Sequence, residues 1–190
     1  MATVSKASRL FDLVDQKEFA FCQAINRSLR FRPLRGYFQL VSKLGDGWIW
    51  YALILSLPWI LPDQGPGLAM LMALTGLCCS VIYKGLKRWL VRERPFISFP
   101  SINCGTPPLD RYSFPSGHTL HAVCFTVMLA AGSPTLALYL TPFTLSVAAS
   151  RVFLGLHYPT DVLAGAVIGS MIGGASVYWL GDSFLAWFSL

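Results

Sequence analysis

Charge is what this sequence has least of. Asp, Glu, Lys and Arg make up 13% of its 190 residues while 54% are hydrophobic; soluble domains carry about 25% charged residues. The shortage is uneven, because Lys and Arg are missing altogether from 44–83, 112–150 and 152–190. A water-soluble domain cannot leave such stretches uncharged without exposing large apolar patches, and this much apolar sequence excludes disorder. Cysteine is sparse and uninformative. The five (Cys22, Cys78, Cys79, Cys104, Cys124) are odd in number and form no Cys-x-x-Cys, which argues against a disulfide framework or a zinc site. The first 20 residues have no apolar leader core and contain Asp12, Asp15, Lys17 and Glu18. No internal repeat, no nucleic-acid-binding pattern and no carboxylate cluster suited to magnesium is present.

What is present reads as an all-α polytopic membrane bundle. Five apolar stretches are candidate spans: Gly47–Leu61, Gly67–Tyr83, Thr119–Ala131, Thr135–Ser150 and Val162–Leu180. Some are shorter than the about 20 residues of a lone span, which suits helices packed closely through small residues; Gly165, Gly169, Gly173 and Gly174 fit that use. Breakers at Asp63–Gly67 and Gly132–Pro134 turn the first four into two hairpins. A hairpin returns the chain to the side it left, so every Lys/Arg cluster falls on one face. Residues 1–46 read as amphipathic helices lying in the interface, 47–181 as the membrane domain and 182–190 as a short tail. The six Trp, among them Trp48, Trp50, Trp59 and Trp179, fit interfacial anchors.

Three polar segments gather on the cationic face. The first is Lys87-Arg88-Trp89-Leu90-Val91-Arg92-Glu93-Arg94-Pro95; were the helix to run on to Pro95, Lys87 and Arg94 would point the same way and repel unless something anionic lay between them. The second is Phe114-Pro115-Ser116-Gly117-His118, where Ser116 can cap a helix whose N-terminal N–H groups bind an anion, Gly117 lets the ligand approach and His118 stands at the mouth. The third runs from Ser150-Arg151 to His157-Tyr158-Pro159-Thr160-Asp161, with the carboxylate four residues beyond the imidazole and able to fix its tautomer. Three cations, a helix N-terminus, two imidazoles and a carboxylate suit a phosphoryl group: the cations neutralise its oxygens, one His attacks phosphorus and the other protonates the leaving oxygen. No metal and no cofactor is needed. His121 is expected to pack or hydrogen-bond nearby, and Arg92, Arg111 and Tyr112 to meet a headgroup or solvent.

Lys-x6-Arg-Pro, Pro-Ser-Gly-His and Ser-Arg-x5-His-x3-Asp, in that order, resemble the three signatures of the type 2 phosphatidic acid phosphatase superfamily, over about residues 47–180. The resemblance implies a membrane lipid phosphate phosphatase. His157 would be the nucleophile forming a phosphohistidine, oriented by Asp161, with His118 the general acid. Lys87, Arg94, Ser116, Gly117 and Arg151 would bind phosphate. The substrate would be undecaprenyl diphosphate, phosphatidylglycerophosphate or phosphatidate, held in a bacterial cell membrane. Family members have six crossings, and here the first is replaced by the amphipathic segment. A non-enzymatic anion-binding membrane protein or transporter is the alternative. Leaving out Lys87, Arg94 and Arg151, the other 12 of the 15 Lys and Arg lie on the site's face. The positive-inside rule then puts the site and N-terminus in the cytoplasm, with a periplasmic site as the alternative. Oligomeric state is not legible.

Overall fold

Each apolar stretch is a helix in the computed structural model, which describes residues 6–187. Two helices come first, α1 (Lys6–Arg27) and α2 (Arg32–Gly45), joined by a 3-10 turn at Ser28–Arg30. Then follow α3 (Trp48–Ile60), α4 (Gly65–Trp89), the single turn α5 (Pro95–Ser98), α6 (Gly117–Gly132), α7 (Pro134–Phe153) and α8 (Pro159–Trp187). No strand occurs among the described residues. Both expected hairpins are present, α3–α4 and α6–α7. Pro66, Pro134 and Pro159 sit in the first turns of α4, α7 and α8, where a missing N–H leaves no bond unmade. The helices run beyond the hydropathy-based limits: α4 continues past Tyr83 to Trp89, and α8 continues through Asp182 to Trp187.

Three of these helices (α4, α7 and α8) are long and apolar enough to cross a bilayer. The other two, α3 with 13 residues and α6 with 16, are shorter. At about 1.5 Å per residue they rise roughly 20 and 24 Å, less than a hydrocarbon core about 30 Å thick. Both begin beside the polar loops of the site, where the bundle is lined by polar groups.

At the centre α6 packs against α4, α7 and α8. Its approach to α8 is set by glycine. A Cβ at Gly165 would lie 2.6 Å from the Ser116 carbonyl oxygen, and one at Gly173 would lie 2.7 Å from that of Cys124. Gly169 meets the Leu120 carbonyl in the same way. Three glycines four residues apart therefore let the backbones touch along two helical turns. Gly174, grouped with them from sequence, faces open space.

The N-terminal segment departs from a simple surface helix. Leu13 and Phe21 of α1 are exposed, whereas Asp15, Cys22 and Asn26 are buried against the protein. With Glu18 they form one helical stripe. Asn26 donates to the carbonyls of Asn103 (2.9 Å) and Phe153 (3.0 Å) and accepts from the Asn103 N–H. This helix turns a polar stripe inward, flanked by Phe19 and Ile25 packed against the protein, while Leu13 and Phe21 face outward. The exposed Trp48, Trp59, Trp89 and Trp179 fit anchoring at the interface, but Trp50 is buried, donating to the Gly45 carbonyl at 3.2 Å.

Candidate active site

A cavity of about 590 Å3 opens among the ends of α3, α4 and α6. Lys87, Arg94, Gly117, His118, Arg151 and His157 line one end of it; Trp50, Ile54, Leu55, Met72, Ala73 and Leu77 wall the other. Of the eight residues expected from sequence to form the site, these six meet at one cavity. Ser116 and Asp161 lie behind its wall, each fully buried.

The turn between α7 and α8 delivers His157. Gly155 adopts φ 71°, a left-handed conformation that glycine takes without strain. A Cβ there would also meet the Asn103 carbonyl oxygen at 2.8 Å. The N–H groups of Leu156 and His157 both return to the Arg151 carbonyl at 3.0 Å, so Arg151 and His157 are tied together by the backbone.

His157 is buried, and its Nε2 lies 3.2 Å from Arg94 Nη1. An arginine can only donate, so Nε2 presents its lone pair and the ring proton sits on Nδ1. That proton faces Asp161 Oδ2 at 3.6 Å, beyond hydrogen-bond length, and Nδ1 has no partner among the described residues. Burial, followed by the charges of Arg94 and Arg151, holds the imidazole well below its usual pKa. His157 is thus held neutral, with the Nε2 lone pair turned toward Arg94.

Asp161 is held mainly from elsewhere. Its Oδ1 pairs with Arg92 Nη1 at 2.5 Å and its Oδ2 accepts the Tyr158 N–H at 2.8 Å. Arg92, expected at a headgroup or in solvent, is instead buried. It also pairs with Asp15 (2.5 Å) and Glu18 (3.0 Å) of α1, and its guanidinium lies over the Tyr158 ring, 4.1 Å from the centroid. Glu18 in turn accepts the Thr160 N–H at 2.9 Å, at the start of α8. Three carboxylates around one arginine offset the cost of burying it. The inward stripe of α1 is therefore what braces Asp161.

Lys87 and Arg94 do not share a helix. α4 ends at Trp89, and Arg94, just before Pro95, is extended (φ −83°, ψ 152°), as the residue before proline is forced to be. The anion between the two cations is Asp110. Its Oδ1 accepts from Lys87 Nζ at 2.7 Å and from Arg94 Nη2 at 2.8 Å. Burial pushes this carboxyl up, but the hydrogen bonds and charges of Lys87 and Arg94 outweigh it and hold it below the usual carboxylate range. Asp110 thus engages both cations through one carboxylate oxygen.

Ser116 precedes α6 as its N-cap residue, but its hydroxyl bonds Thr119 Oγ1 at 3.0 Å and makes no capping bond. The first N–H groups of α6, from Gly117 on, are thereby left for a ligand. Arg151 is buried, bonds the Ser42 hydroxyl, and leaves Nε without a partner among the described residues. His118 Nε2 bonds the Asp46 carboxylate in the turn between α2 and α3. His121 donates from Nδ1 to the Gly117 carbonyl at 2.8 Å while lining the cavity, the packing role expected of it. Arg111 is exposed, 3.4 Å from Glu93, and the Tyr112 carbonyl accepts from Lys87 at 3.0 Å. No three His, Cys, Asp or Glu side chains converge as a metal site among the described residues.

Sequence reasoning missed Asp46, Asp110 and the bracing role of Arg92. Only the stripe Asp15, Glu18, Cys22, Asn26 carried a legible signal, as polar residues at helical spacing.

Comparison with known proteins shows the family. Residues 67–185 match the family model described as the PAP2 superfamily. A decaprenylphosphoryl-5-phosphoribose phosphatase of Mycolicibacterium smegmatis is 44% identical over 82 residues, which span 42% of either chain. The match thus covers less than half of that relative's length. An undecaprenyl-diphosphatase of Sulfolobus acidocaldarius is 30% identical over 146 residues, covering 76% of this chain and 69% of the relative. The crystal structure of Aquifex aeolicus LpxE superposes with a TM-score of 0.72 at 26% identity, over 85% of this chain and 95% of that one.

Proposed function

The chain belongs to the PAP2 superfamily, and on that premise we propose that it hydrolyses a phosphomonoester or diphosphate of a membrane lipid through a phosphohistidine on His157. One observation carries the reading: a single cavity joins a cluster of three cations and two imidazoles to an apolar wall on α3 and α4. A lipid phosphate has that polarity along its length.

In the first step His157 Nε2 attacks phosphorus, and the bond from phosphorus to the lipid oxygen breaks. That oxygen takes a proton from His118. Lys87, Arg94 and Arg151, with the N–H groups at the start of α6, hold the phosphoryl oxygens as charge redistributes. Phosphate displaces the Asp110 carboxylate from between Lys87 and Arg94, and takes the Arg94 contact from Nε2, freeing the lone pair. In the second step water attacks the phosphohistidine, returns a proton to His118 and releases inorganic phosphate. Asp161, braced by Arg92, stabilises the charged ring between the steps.

The two relatives are named for decaprenyl- and undecaprenyl-linked phosphates, which favours a polyprenyl lipid; phosphatidylglycerophosphate and phosphatidate complete the panel to assay. Phosphate release from this panel by the purified protein, abolished in His157→Ala, is the expected result. Undiminished turnover by His157→Ala would overturn the mechanism. The excess of Lys and Arg beside the site supports a cytoplasmic orientation.

A further inference from the structure

One carboxylate at the cavity has no part in the scheme above. Asp46 forms the turn between α2 and α3 and lines both the main cavity and a neighbouring one of about 300 Å3 shared with Lys43 and Arg151. Its Oδ1 bonds Nε2 of His118, 72 residues away in sequence. Glycines flank Asp46: Gly47 has φ 141°, and a Cβ on Gly45 would crowd Val147 at 3.2 Å, with the His118 ring in ordinary contact at 3.8 Å.

We infer that Asp46 is a positioning residue for proton transfer by His118, forming with it a second carboxylate–imidazole pair that acts on the leaving group while Asp161 serves His157. This rests on the proposed role of His118 as the acid. An imidazole tied through Nε2 exchanges protons through Nδ1. As the bond from phosphorus to the lipid oxygen breaks, its electron pair stays on that oxygen, which takes the Nδ1 proton. The neutral ring still donates Nε2–H to Asp46. Attacking water then returns a proton to Nδ1 while the N–P electron pair goes back to His157, so the pair ends as it began.

Asp46 is the anion that opposes the cationic surroundings of His118. His118 faces Arg151 from α7, His121 from its own helix and His157 from the turn before α8. Lys87 and Arg94 border the same cavity, and the carboxylate of Asp110 is engaged by that pair. A protonated His118 among these cations needs an anion of its own, and Asp46 is the carboxylate in contact with it.

Leaving-group dependence tests the assignment. Asp46→Asn keeps the side chain's size and removes its charge. On the lipid phosphate turned over fastest in the panel, kcat/KM should fall about 30-fold, less than the roughly 100-fold or more that losing the acid itself costs. On 4-nitrophenyl phosphate, whose leaving group needs no proton, it should fall less than about 3-fold. Asp46→Glu should recover part of the loss. The protein has three histidines, so 15N-labelled histidine gives three ring systems, and the His118 ring nitrogens should shift in Asp46→Asn. Equal losses on both substrates, or an unmoved His118 ring, would overturn the inference. The underlying reading is tested apart from it. His118→Asn at wild-type rate on the lipid means His118 is not the acid; a slow His118→Asn beside a wild-type Asp46→Asn removes Asp46 alone.

Discussion

His157 holds a neutral imidazole among cations, and this leaves a mark on stability. Its folded pKa lies well below 6.5 because it is buried and faces Arg94 and Arg151, while in the unfolded chain it returns to about 6.5. Below about pH 6.5 the unfolded state therefore binds the extra proton, and folding weakens as pH falls. A His157→Gln protein carries no such penalty. Thermal unfolding in detergent should show wild type losing stability relative to His157→Gln between pH 7.5 and 5.5. A constant difference across that window would mean that the ring is not held neutral. At this scale the sequence was informative where residues lie close in chain order: the spacing His157-x3-Asp161 brought the ring and the carboxylate to 3.6 Å, short of a hydrogen bond. It was silent on Asp110 and Asp46, since nothing local marks a carboxylate that meets its partner from a separate loop. It misread Arg92, because a buried arginine and a solvated one look alike until three carboxylates from α1 and α8 are brought round it.

Between elements, the link from α1 to α8 runs through that arginine. Replacing Arg92 with Met removes the partner of Asp15, Glu18 and Asp161 together. Leaving buried charges unpaired costs about 3–5 kcal/mol, so Arg92→Met should melt well below wild type, and a wild-type melting curve would contradict the bracing role. Arg92→Lys, which keeps charge but cannot fork between carboxylates, should fall between the two. The helices and hairpins were legible from hydropathy and breakers because both are local. Which way α1 faces was not. Its polar stripe was visible, but whether that stripe turns to water or to protein is decided by the polar loops beneath it. The extended Arg94 likewise follows from Pro95, a local rule that the pull of the Lys87–Arg94 spacing obscured.

For the whole molecule, the uneven placement of charge that marks the sequence also organises function. Cation-free stretches form the hairpins, and the cations between them gather at one end of the bundle around a cavity that continues along apolar helix faces. A cytoplasmic site requires the C-terminus to lie outside, so an alkaline phosphatase fused after Leu190 should be active, and an inactive fusion would reverse the orientation. The central claim is covalent catalysis at His157. Its most direct test is a rapid acid-and-base quench of the protein mixed with a 32P-labelled lipid phosphate from the panel. The account predicts a protein-bound label that survives alkali, is lost in acid and maps to the peptide containing His157. Label that persists in His157→Ala, or turnover with no labelled protein even in the His118→Asn variant under forcing substrate, would contradict it.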